Sequence, residues 1–385
     1  MQDEYVSTDG LVPQNYPQYG YSQPGQPGFP PPGFSPGPGF PPGPGWGAPA
    51  PEVKVGTVPI RPLDLGGLYG GAFAAIRANP AVMVGLTAIV VVLAQVVTFL
   101  AQIPLTTVST DPNADDTSAA VLLGSSAASL GVSLIAAIAT LFLTGVLTVV
   151  VARSVLGEKT SIGEAARAVG PRLLPLIGLS VIQFLIYLVP MLLVFGAMIG
   201  LVIGGVGSTG MVVGTVAVAV LVFLLFVAGA IALMPAFSMS YQAVVLERLG
   251  PITALRRAWR LQTPGYWRLL GILLLTYLIT GIVAGIVSIP FGVGTALLDA
   301  DHTPRNLAGA TVAGLAIAAV GSAIGQVLTV PFTAGVQALL YIDQRMRNEG
   351  LDHALRAEAI HRWQTGLVGV PTEHLWHANG YPQQY

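Results

Sequence analysis

The sequence predicts an all-α fold: a polytopic membrane bundle of six transmembrane helices, with cytoplasmic interfacial amphipathic helices and a disordered Pro/Gly-rich N-terminal arm. Three observations predict it. Of the 385 residues, 53% are hydrophobic and only 9% charged, against about 25% charged in an average soluble domain. Six apolar runs are each long enough for a bilayer-spanning helix, which needs about 20 residues. The basic residues collect in alternate connections between those runs, as topogenic charge does.

The arm comes first. Residues 11–52 contain QNYPQYGYSQPGQPGFPPPGFSPGPGFPPGPGWGAPAP, and proline and glycine at this density deny the chain both helix and sheet, leaving polyproline II character. Aromatics recur in PGF, PGF and PGW units, which suit either a solvated tail or an arm that recruits a protein partner. The acidic start, MQDEYVSTDG, has no basic region ahead of an apolar stretch and does not read as a cleavable signal. We assign 1–57 to the arm, 58–345 to the membrane domain and 346–385 to a cytoplasmic C-terminal tail.

The spans fall at 80–103, 129–152, 173–202, 211–240, 269–298 and 308–342, and none contains Lys, Arg, Asp, Glu or His. Residues 118–132 read either as an extension of the second helix or as a surface turn. With the N-terminus inside, sixteen of the seventeen basic residues are cytoplasmic and only Arg305 lies outside, beside Asp111, Asp115, Asp116, Asp299 and Asp301. The positive-inside rule then puts both termini in the cytoplasm of a plasma-membrane protein.

Each odd-numbered span follows a short amphipathic segment: LGGLYGGAFAAIRANP from Leu65, IGEAARAVGPR from Ile162 and ITALRRAWRLQTPGYWR from Ile252. Each segment meets a Pro or Gly break and then enters an apolar run. The even spans leave through basic exits, VVVARSVLGEK, AVVLERLG and LLYIDQRMRNEG. The unit is an interfacial helix plus a two-helix hairpin, used three times. In the first segment Leu65, Leu68, Tyr69, Ala72, Phe73 and Ile76 share a face, with paired glycines opposite that suit either close helix approach or flexibility. In the second, Ser161 and Glu164 have capping-box spacing.

The third segment carries the candidate site. At 100° per residue, Ile252, Leu255 and Trp259 share a face, while Arg256, Arg257 and Arg260 occupy the adjacent arc. A helix lying in the interface sinks the first group among acyl chains and raises the arginines to lipid phosphates. Trp259 and Trp267 suit the headgroup level, and Arg268 precedes the next span. Each arginine near an anionic leaflet contributes about 1 kcal/mol. Arg256, Arg257, Arg260, Arg268, Trp259 and Trp267 are therefore the expected lipid-headgroup contacts. A phosphate-bearing substrate held by the same arginines is the alternative.

These stretches also carry a resemblance. The proline-rich tail, VPIRPLDLGGLYGGAFAAIRANP, VVLERLGPITALRRAWRLQTPGYWRLLGILLL and LLYIDQRMRNEGLD resemble actinobacterial proline-rich membrane proteins related to the membrane domain of glycerophosphoryl diester phosphodiesterase. The resemblance, over roughly residues 58–355, implies a six-helix membrane domain without the catalytic barrel. The barrel's metal-binding HRG-type motif has no counterpart beyond His361-Arg362.

Little else points to chemistry. With no cysteine, disulfides, thiol catalysis and Cys-ligated zinc are excluded. No HExxH, GxSxG or phosphate-binding Gly-rich loop is present, and the histidine pair of HLWH shows no fixed scaffold for a metal site. No cofactor or metal is expected, the net charge of −1 offers nothing to nucleic acid, and the chain does not read as an enzyme. Gln95, Gln102, Gln183, Tyr187, Gln326 and Gln337 are the intramembrane polar candidates, for helix packing or for a substrate path. Pro104, Pro190, Pro235, Pro290 and Pro331 suit either length accommodation or a hinge. The expected function is non-catalytic: organising protein partners or anionic lipid at the cytoplasmic face. Alternatives are a transporter, a lipid-translocating protein, or the membrane subunit of a lipid-phosphodiester enzyme.

Overall fold

A computed structural model describes residues 56–108, 118–203, 209–300, 307–365 and 373–376. The arm through residue 55 lies outside the described residues, and with it the expectation that it is disordered. Among the described residues all regular structure is helical.

The order is α1 (Leu65–Ala78), a π-helical stretch (Ala81–Leu86) running into α2 (Thr87–Val108), α3 (Ser118–Ser154), α4 (Ile162–Val169), α5 (Leu173–Ile203), α6 (Thr209–Leu246), α7 (Pro251–Gln262), α8 (Tyr266–Ala300), α9 (Leu307–Glu349), α10 (Leu351–Thr365) and α11 (Glu373–Trp376). Six helices are long and apolar enough to cross a membrane. The open stretch at 118–132 is helix, the first turns of α3.

Local chemistry sets the short helices. The Asp64 carboxylate accepts the Gly67 amide at 2.8 Å and caps α1. Ser161 and Glu164 form the reciprocal capping box at α4. Pro251 stands in the first turn of α7, where a missing N–H costs nothing. Between each short helix and its long successor stands a proline: Pro80, Pro171 and Pro264. A short helix followed by two long ones thus recurs three times among the described residues, as α1–α3, α4–α6 and α7–α9.

The three units close into a ring. α4 packs on α3, the second long helix of the preceding hairpin, and α7 packs on α6 in the same way. No hairpin precedes α1, and it packs on α9, the second helix of the last. The second helices α3, α6 and α9 touch one another pairwise, and α2, α5 and α8 each wedge between two of them. The arrangement is pseudo-threefold, an inner trio surrounded by an outer trio.

The core sits at the end of the bundle where the short helices lie. There α3 buries Leu143, Val146, Leu147, Val150 and Val151, and α9 buries Val336, Leu339, Leu340 and Ile342. The segment before α1 joins the core through Val58, Ile60 and Leu63, and α10 joins it through Leu351, Leu355 and Ala359. Toward the other end the long helices bury little. Leu134, Leu193, Leu225 and Ile286 are each more than 60% exposed, an apolar belt that only a bilayer solvates cheaply. The protein is a multi-pass membrane protein.

One face departs from the sequence pattern. α1 buries Leu68, Gly71, Ala72 and Ala75, while Leu65 and Phe73 stay exposed. Close approach decides it: a Cβ on Gly71 would stand 2.2 Å from Val58 Cγ1 and 2.9 Å from Leu339 Cδ1. Small residues let α1 and α9 touch backbone to backbone, and dispersion across that contact outweighs burying a larger side chain there.

Candidate functional site

α7 and the first turn of α8 present two populations of basic residues. Its inner face, Ala254, Ala258, Leu261 and Gln262, is buried against the bundle. Arg256 and Arg260 are exposed and carry no ion pair among the described residues. Trp259 is 52% exposed and Trp267 80% exposed, the latter edge-on to Tyr266. Ile252, in the first turn of α7, is exposed as well.

Arg257 and Arg268 turn inward instead. Arg257 donates to both oxygens of Glu247, from Nε at 2.9 Å and from Nη2 at 3.0 Å, and pairs with Glu349. The Glu247 side chain is fully buried. It also accepts from the Tyr341 hydroxyl and lies 3.4 Å from Arg345, which is 1% exposed. Arg345 in turn reaches Glu349 at 3.0 Å and the Trp376 carbonyl at 2.9 Å. The cluster fastens α6, α7, α9 and α11 together.

Arg268 belongs to a second buried cluster. Asp343, fully buried, accepts from the Leu63 amide at 2.7 Å, from Arg268 Nη1 at 2.6 Å and from Arg347 Nε at 3.0 Å. Arg268 and Arg347 each donate again to the Leu63 carbonyl at 2.7 Å. Arg356 donates to the Ile60 carbonyl. In a third pairing, Arg362 meets Glu158 at 2.7 Å and Glu358 at 2.8 Å. Burial works against the Arg362 cation, but the hydrogen bonds to Glu358 and Glu158 outweigh it and hold the guanidinium above its ordinary value.

A cavity of about 630 Å³ opens just beyond the core, among α3, α5, α6, α8 and α9. Its polar lining is neutral hydroxyl and amide, including Thr144, Gln183, Tyr241, Tyr277, Thr333 and Gln337. Tyr241 donates to Gln183 at 2.7 Å, and Gln337 donates to Tyr277 at 2.8 Å. The lining threonines return their protons to their own helices: Thr144 to the Thr140 carbonyl, Thr333 to that of Thr329. Their oxygens keep acceptor capacity toward the cavity. Pro235 and Pro331 lie inside unbroken helices at this level.

Three of the six intramembrane candidates, Gln183, Tyr187 and Gln337, therefore line one space. Gln95 and Gln326 both donate to the Ser322 hydroxyl at 2.9 Å, which joins α2 to α9. No group of three or more His, Asp or Glu residues among the described ones is placed to hold a metal ion.

A family profile described as a domain of unknown function, DUF7847, matches residues 65–343. The chain belongs to the DUF7847 family. No curated protein and no solved structure matches it. The DUF7847 region starts on the first residue of α1 and ends on Asp343, so it takes in all three repeats.

Within the DUF7847 domain, sequence reasoning placed six residues at one surface. Arg256, Trp259, Arg260 and Trp267 are exposed, whereas Arg257 and Arg268 hold buried carboxylates. It missed Glu247, Tyr341, Asp343 and Arg345. The available signal was an acid inside each of two basic exits, VLER and YIDQR, at the end of an apolar helix.

Proposed function

We propose that this DUF7847 protein is a non-catalytic component of the plasma membrane, both termini cytoplasmic, that holds anionic lipid at its basic end. Its Pro/Gly/aromatic arm recruits a protein partner there. The observation that carries this reading is the division of labour across α7 and the first turn of α8. Two arginines stabilise the fold, and Arg256, Trp259, Arg260 and Trp267 remain outward with the chemistry of an interfacial anchor. The charge asymmetry between alternate connections supports the orientation. The resemblance of its sequence to the membrane domain of glycerophosphoryl diester phosphodiesterase supports reading the described helices as an embedded body.

The cavity favours a second reading, passage or translocation of an amphipathic molecule with an uncharged polar head, since its neutral lining suits no charged one. One experiment addresses both. In native mass spectrometry from nanodiscs, Arg256→Gln/Arg260→Gln is expected to lose phosphatidylglycerol by on the order of tenfold or more, with the thermal transition unchanged. Unaltered retention would refute the anchor. An uncharged lipid kept by both forms and released by Gln183→Leu would favour the second reading. For orientation, reporters inserted at 109–117 and at 301–306 are expected to score outside; a cytoplasmic score at either overturns it.

A further inference from the structure

The cavity among α3, α5, α6, α8 and α9 is one-sided as well as neutral. Its lining residues all fall within helices long and apolar enough to cross a membrane, so a bilayer component is the ligand nearest at hand. α2 packs closely on both α3 and α9, and Gln95 closes the α9 seam by donating to Ser322 at 2.9 Å. α8 meets α6 more sparsely, and the cavity lies on that side, with no described α2 residue in its lining. Gly281 of α8 lines it, and a Cβ added there would meet nothing within 4 Å. At about 630 Å³ the space is within the range of small-molecule sites, about 300–1,000 Å³.

The hydrogen-bonding character of the lining is lopsided. Thr140, Thr144, Thr280, Thr329 and Thr333 each donate to a carbonyl of their own helix at 2.8–2.9 Å. With the proton committed there, each oxygen offers the cavity lone pairs only. Gln337 donates through Nε2 to the Tyr277 hydroxyl, which leaves its Oε1 open as a sixth acceptor. Against these stands the Tyr277 proton, which has no acceptor among the described residues. Such a wall repels a phosphate, whose oxygens are acceptors too. An ammonium could donate, but no carboxylate is among the described lining residues to offset its lost hydration. Esters and ethers bring no donor. A hydroxyl group brings both a donor for the threonines and an acceptor for Tyr277. The tilted pair Tyr187–Phe237, with centroids 5.7 Å apart, adds an apolar wall for the C–H face of a sugar or polyol.

Resting on the reading of this cavity as a seat for an uncharged amphiphile, we propose that its occupant is a lipid with a hydroxyl-rich head, a sugar or polyol on a diacylglycerol. The test uses the full chain in phosphatidylcholine nanodiscs that contain either galactosyl dioleoylglycerol or its O-permethylated form, read by native mass spectrometry. The wild type is expected to retain the galactolipid about tenfold or more over the ether, which keeps the ring and the tails but has no donor. Thr144→Val/Thr333→Val keeps side-chain shape and removes two acceptors. It should lower galactolipid retention about tenfold and leave that of the ether unchanged. Gly281→Leu fills the open space and should abolish retention of both, with a thermal transition unchanged or raised because leucine is the better helix former. Equal retention of the two lipids, lost in Gly281→Leu, overturns the hydroxyl-rich head and leaves the cavity as a seat for an uncharged amphiphile. Retention of neither, or retention that Gly281→Leu does not change, overturns both.

Discussion

Glu247→Gln is expected to destabilise the folded protein by about 3–5 kcal/mol, seen as a lowered thermal transition in nanodiscs and a loss of extractable monomer. The substitution keeps size and removes the charge that Arg257 and Arg345 face. Arg345 is the critical partner. At 1% exposure it cannot recover hydration, and leaving a buried cation without its anion costs more than the pair contributed. Glu349 offers partial relief, because it also touches both arginines and is a quarter exposed. The loss therefore falls toward the lower end of the range. Tyr341→Phe, which removes only the hydroxyl donor to Glu247, is expected to cost about 1 kcal/mol. A shift of less than about 0.5 kcal/mol in Glu247→Gln would show that the cluster is solvated and does not hold α6 to α9.

What the sequence reveals and what it conceals divides along contact range. The six spans, the three short helices and the Ser161–Glu164 cap are local, set by apolar run length, proline placement and three-residue spacing. The candidate site is half local. Arg256 and Arg257 are neighbours on one helix, and no periodicity tells which will meet a carboxylate. That depends on Glu247 and Glu349 arriving from α6 and α9. The closing of the ring is equally hidden, since α1 meets α9 through Gly71 and Leu339, far apart in the chain. Glu247 and Asp343 looked like minor members of basic exits. Helix length shows where a span ends relative to a membrane, but not that the end is covered by other protein, which makes an acid there a buried one. The left-handed turn after α6 is hidden for a different reason: such a residue is readable from sequence when it is glycine, and here it is Arg248, with φ 59°.

Asp343→Asn is expected to act differently from Glu247→Gln, because Asp343 holds a backbone segment as well as two side chains. Its oxygens take the Leu63 amide and two guanidiniums, and those same guanidiniums take the Leu63 carbonyl. An asparagine supplies one acceptor oxygen and turns an NH₂ group toward donors, so at least one buried contact becomes donor to donor. The cost is about 3–5 kcal/mol, as for the loss of one partner from a buried charged set. The effect should be local in the first instance. Val58, Ile60 and Leu63 loosen from the core while α3, α6 and α9 keep their mutual packing. Hydrogen exchange is expected to rise at the Leu63 amide and through the first turn of α1, and limited proteolysis to gain a cut near residues 56–64, before the thermal transition moves fully. Arg268→Gln makes the control, since Arg347 still serves both Asp343 and the Leu63 carbonyl. It should give a smaller rise at the same amide. Equal protection of Leu63 in Asp343→Asn and in the wild type would mean that α1 is seated by the Gly71–Leu339 contact alone, and that the buried carboxylate plays no part in closing the ring.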